Sequence, residues 1–116
     1  MDEEARIKKL IEEAEALEWG CNLDKQTHNG KTEQYIEFEQ YTPAGEDFIF
    51  TAWGETAEEI ARDVFRYAED FDQSEHVQLN LGARGAPDAY TLAIDSQEIK
   101  KMLDVLAERL AEAVKE

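Results

Sequence analysis

The sequence predicts an α+β fold: a two-layer sandwich in which a three-stranded antiparallel meander lies against about three amphipathic helices, in the order α-β-β-β-α-irregular-α. Three observations carry that reading. Apolar residues recur every three or four positions towards both ends of the chain and every second position in its middle. Two turn signals, Asn29-Gly30 and Thr42-Pro43-Ala44-Gly45, divide the alternating part into three runs. Helix-capping patterns follow the third run and return near residue 95.

Residues 2–18 read as the first helix, because Ile7, Leu10, Ile11, Ala14 and Leu17 form one stripe and Asp2, Glu3 and Glu4 favour its N-terminal dipole. The period then changes to two. Trp19, Cys21 and Leu23 alternate, which places a first strand at about 19–26. Asn29 and Gly30 both tolerate positive φ and so signal a hairpin. The second strand, about 32–41, turns Ile36 and Phe38 to the core and Glu33, Tyr35, Glu37, Glu39 and Tyr41 to its other face. The third, 47–53, carries apolar residues on both faces, which predicts a central strand or one covered on two sides.

Thr56 and Glu59 make a capping box for a helix running to about Phe71, with Ile60, Ala61, Val64, Ala68 and Phe71 on one side. Beyond it the pattern is ambiguous. Val77, Leu79 and Leu81 alternate like a strand, a short helix fits too, and Gly82-Ala83-Arg84-Gly85-Ala86-Pro87 is loop chemistry. Asp88 to Ile94 reads as one or two helical turns. Asp95 or Ser96 is expected to cap the last helix, whose stripe is Ile99, Met102, Leu103, Leu106, Leu110 and Val114.

The 116 residues suit one domain. Twelve Lys and Arg against 28 Asp and Glu give 12 − 28 = −16. Such a charge repels nucleic acid and anionic membranes and attracts basic surfaces; it also keeps a domain soluble. Cys21 is the sole cysteine, so no internal disulfide forms. The acidic start lacks the basic and apolar regions of a signal peptide, and the expected compartment is the cytoplasm.

Few residues suggest chemistry. Catalysis is not expected: His28 and His76 are the two histidines, and nothing in the spacing brings Cys21 beside either. Asp70, Asp72, Glu75 and His76 crowd one segment, but lack the glycine and terminal glutamate of an EF-hand, so neither a metal nor another cofactor is expected. Gly82-Ala83-Arg84-Gly85 is no P-loop; it suggests the glycine loop of a KH domain, a use that the net charge opposes. Two features remain as a candidate partner-binding surface. Glu33, Glu37 and Glu39 share a strand face with Tyr35 and Tyr41, an acidic ladder with aromatic anchors. Asp70 and Asp72, with Glu69 and Glu75, place negative charge where a helix dipole disfavours it, and Glu46-Asp47 could extend the rim. Each feature also reads as a plain solvated surface.

The run Glu37-Phe38-Glu39-Gln40-Tyr41-Thr42-Pro43-Ala44-Gly45-Glu46-Asp47-Phe48 resembles small acidic proteins of gut bacteria and their mobile elements. Phe71-Asp72, Glu75-His76, Ala83-Arg84-Gly85 and the helix from Ile99 to Leu110 are similar to later parts of that group, a likeness over roughly residues 33–112. It implies no particular activity. In architecture alone the chain is similar to certain Cas9-inhibiting anti-CRISPR proteins, which place carboxylates where DNA phosphates would lie. The expected function is therefore acidic binding to a basic protein surface, as a nucleic-acid mimic acting on a host defence or DNA-handling protein. Self-association as an assembly module, and a small-ligand or enzymatic pocket between sheet and helices, are the alternatives.

Overall fold

In a computed structural model, residues 2–82, 85 and 87–115 are described. The glycine-loop residues Ala83, Arg84 and Ala86 lie outside them, and with them the comparison to a KH loop. The chain runs α1 (Glu3–Ala16), β1 (Gly20–His28), β2 (Lys31–Tyr41), β3 (Asp47–Trp53), α2 (Ala57–Asp70), α3 (Gln73–Asn80) and α4 (Ala89–Ala113).

The strands form an antiparallel meander in the order β1-β2-β3. Asn29 and Gly30 both adopt positive φ, 52° and 76°, and close the first hairpin as the dipeptide predicts. Gly20 pairs with Glu39 and His28 with Lys31 across that hairpin; Tyr35 pairs with Trp53 and Tyr41 with Asp47 on the other side of β2. β3 therefore reaches only as far as Tyr35, and the hairpin beyond it is a two-stranded arm of mostly exposed residues.

One sheet face is buried under the helices. Ile36, Phe38, Phe48, Phe50 and Ala52 share a core with the stripes of α1 (Ile7, Leu10, Ala14), α2 (Ile60, Ala61, Val64, Ala68) and α4 (Ile99, Leu103, Leu106, Leu110). The Trp19 ring stands edge-on to Phe38, Phe48 and Phe50, with centroids 5.6–6.4 Å apart. Strand alternation turns Glu33, Tyr35, Glu37, Glu39 and Tyr41 of β2 to the opposite face, together with Asp47, Ile49, Thr51 and Trp53 of β3.

Two expectations are corrected and one open reading is resolved. β3 is an edge strand, and the apolar residues on its second face, Ile49 and Trp53, are exposed. The ambiguous stretch around Val77 is a helix, α3, capped by the Asp72 carboxyl accepting from the Glu75 N–H. Neither Asp95 nor Ser96 caps the last helix. α4 begins two turns earlier at Asp88, whose side chain accepts from the Thr91 N–H, and both residues are buried inside it. Among the described residues no helix is long and apolar enough to cross a membrane.

Candidate functional site

The open face of the sheet gathers the acidic ladder into a two-dimensional array. Side chains two apart on β2 stand about 6.6 Å from each other, and the antiparallel register adds a neighbour on each side. Asn22 and Thr51 flank Glu37, Gly20 and Ile49 flank Glu39, and Asp24 and Trp53 flank Tyr35. The Tyr35 and Trp53 rings lie 4.6 Å apart at a tilt of 42°. Asp24, Glu33, Glu37, Glu39 and Asp47 place five carboxylates on this face, against one lysine, Lys31, paired with His28 at the hairpin tip. Tyr41 is 67% exposed, so a large aromatic surface stands among them.

The carboxylates interact with one another. Asp47 lies diagonally across from Glu39, and its charge, with slight desolvation, a shared hydrogen bond and the nearby Glu37 charge, raises the pKa of the exposed Glu39 above the ordinary carboxylate value. The charges of Asp47 and Glu37 beside Glu39 therefore oppose one another across the open face.

The remaining expected residues lie elsewhere. Glu46 sits in the β2–β3 turn, where its N–H donates to the Thr42 hydroxyl and its carbonyl accepts from the Thr42 N–H. Asp70 ends α2 and Asp72 caps α3. Both line a pocket of about 240 Å³ behind the sheet edge, floored by Phe48 and walled by Tyr67, Phe71 and His76. The structure thus joins Asp47 to the β2 ladder and separates Asp70 and Asp72 from it. Sequence reasoning omitted Asp24, Ile49 and Trp53; the alternation of β1 and β3 carried the signal, but only the register sets them beside Glu37, Glu39 and Tyr35.

It also omitted the use of Asp95. Its carboxyl accepts from the Thr42 hydroxyl at 2.6 Å and from the Ala44 N–H at 3.2 Å, tying the β2–β3 turn to the N-terminal part of α4. Cys21 is half-buried, with its thiol 3.9 Å from the Trp19 carbonyl; burial, helped by the Glu15 charge, pushes its pKa up to about 12. The protonated thiol is a poor nucleophile at neutral pH. Among the described residues no three His, Cys, Asp or Glu side chains are grouped to hold a metal ion. Comparison with family models, curated proteins and solved structures gave no match.

Proposed function

We propose that this protein is an acidic binding protein whose uncovered sheet face docks on a basic surface of another protein, in the manner of a nucleic-acid mimic. The observation that carries the reading is the array itself: five carboxylates and the side chains of Tyr35, Tyr41, Ile49 and Trp53 on one open face, with one lysine, Lys31, opposing them in charge. Complementary charge steers association and fixes partner choice, while the exposed aromatic and aliphatic groups supply area to desolvate. A cationic groove that normally accepts phosphates is the matching chemistry. Catalysis plays no part in this reading.

The test is affinity capture from bacterial lysate with the intact protein and with an E33K/E37K/E39K variant as baits. The wild type should retain a DNA- or RNA-handling protein that elutes as salt rises from about 0.1 to 0.5 M, where the screening length falls about twofold. The charge-reversed bait should retain none of it. Capture indifferent to salt or to charge reversal overturns the reading.

The free edge of β3 favours a second reading, self-association. The ladder alternates, so with the Gly54 N–H donating to Gln34, the N–H groups of Ile49 and Thr51 point away from β2. Asp63 covers only the next one, at Trp53. Edge pairing of two copies would bring Asp47 and Glu39 of each towards the other, which weighs against it. Light scattering that shows a concentration-dependent dimer would favour this second reading.

A further inference from the structure

The pocket behind β3 differs in kind from the sheet face. Phe48 is buried at its floor, and three rings stand steeply around it: Phe71 at 89° with centroids 6.0 Å apart, His76 at 69° and 6.3 Å, Tyr67 at 52° and 6.4 Å. Phe71 and His76 also touch, at 5.5 Å, so the walls are continuous on that side. Rings at such angles border the space beside Phe48 without stacking on it, although Tyr67 gives one face to Phe50, stacked at 4.5 Å and 14°; the faces of aromatic rings carry negative potential.

Carboxylates rim the opening. Asp70 and Glu75 form no ion pair with any described residue; Arg66, one turn before Asp70, is paired with Asp63, and its charge still reaches Asp70. Asp72 spends one oxygen on the cap of α3. Among the described residues no lysine or arginine lines the pocket. The basic group among those lining residues is His76, and burial outweighs the Asp95 charge to lower that pKa, leaving the imidazole neutral at pH 7. The α2 C-terminus adds its negative dipole end at Asp70. At about 240 Å³ the cavity is smaller than the roughly 300–1,000 Å³ of sites for drug-sized ligands, so it fits a head group on a short stem.

We propose that this pocket binds an organic cation, a protonated or quaternary alkylammonium group, with Phe48, Tyr67, Phe71 and His76 as the aromatic enclosure and Asp70 and Glu75 as its counter-charge. Aromatic faces attract alkylammonium ions through the ring quadrupole, and the attraction grows as the ion is desolvated. A neutral ligand of the same shape gains only the apolar contact. The same head group occurs on free amines and on lysine side chains of a partner protein. The site stands apart from the sheet face, so either proposal can fail without the other.

The experiment is an amide-resolved NMR titration of the intact protein with choline and with its uncharged isostere 3,3-dimethylbutan-1-ol. Choline should shift amides between residues 67 and 79 and saturate, binding at least about tenfold tighter than the isostere. F71L, which keeps apolar bulk and removes a ring, should weaken choline by about three- to tenfold. D70N/E75Q, at exposed positions where folding is not at stake, should weaken it by a similar factor, and E37K/E39K should leave it unchanged. Tighter binding of Nα-acetyl-lysine methylamide than of n-butylammonium assigns the head group to a protein side chain; the reverse assigns it to a free amine. Equal binding of choline and its isostere, or no shift in the pocket at about 0.1 M choline, a concentration about a hundred times a millimolar Kd, overturns the proposal.

Discussion

Asp95 shows how one buried side chain can organise a loop. It is 2% exposed, and its two oxygens take the Thr42 hydroxyl and the Ala44 N–H, while the same hydroxyl accepts from the Glu46 N–H and Gly45 closes the turn onto the Thr42 carbonyl. Removing the carboxyl strands the hydroxyl of buried Thr42, whereas Ala44 is exposed, and an unsatisfied buried donor costs about 1–3 kcal/mol. D95A should therefore lose about 1–3 kcal/mol in urea unfolding, with D95N lying between it and the wild type. Because Thr42 is the main partner, D95A/T42V should lose less than the sum of the single changes. Strict additivity in that cycle would show that the turn does not depend on the contact. The sequence held a sign of this role: Leu92, Asp95, Ser96, Ile99, Leu103 and Leu106 keep helical spacing, so Asp95 stands on the apolar stripe. A carboxyl at a core position implies a partner, whereas an Asp before an apolar run also resembles a cap, and the two signals conflict locally.

At the scale of elements, strands and turns were the most legible part, because a period of two and an Asn-Gly pair are local properties. What failed depends on neighbours. Apolar residues on both faces of β3 suggested cover on two sides, yet Ile49 and Trp53 face solvent on an edge strand. α3 has no fully buried residue, so Val77 and Leu79 in it and Leu81 at its C-cap are not patterned by the core, and their alternation left strand and short helix both open. The aromatic pocket was illegible for another reason: Phe48 lies about twenty residues before Tyr67, and only the docking of α2 and α3 against the sheet edge brings them together. The outer array was half legible, since β2 gave its glutamates but no pattern gave the register. That register makes a sheet-level prediction. Asp47 is the largest cause of the raised Glu39 pKa, so the fold disfavours the charged pair. A carboxyl whose folded pKa lies above its unfolded one imposes no penalty below the unfolded value, and the penalty grows as pH rises through the folded value. D47N removes the repulsion and keeps a hydrogen-bonding group. Its thermal midpoint should exceed that of the wild type slightly at about pH 7, with the gain vanishing near pH 3. A gain equal at both pH values would exclude the charge pair as its source.

For the whole molecule the decisive quantity is the excess of carboxylates over cations. Even if each of the 12 Lys and Arg neutralised one carboxylate, 28 − 12 = 16 would remain without a partner. Most of the observed ion pairs are one helical turn apart and at least partly exposed, as at Lys101–Glu98 and Lys115–Glu112, and such pairs contribute little to stability. Screening therefore removes more repulsion than attraction. The thermal midpoint of the free protein should rise as sodium chloride increases from about 0.02 to 0.5 M, because the Debye length shrinks from about 20 Å to about 4 Å. Docking of the sheet face on a basic partner should respond in the opposite sense, since the same screening weakens attraction between opposite charges. The two signs together test whether one charge distribution governs both properties. E33K/E37K/E39K lowers the negative charge and removes part of the array, so it should reduce the salt dependence of stability as well as of binding. If the midpoint instead falls with salt, the exposed ion pairs outweigh the net repulsion. The acidic face would then be balanced within the free domain, without the strain that a basic partner could relieve.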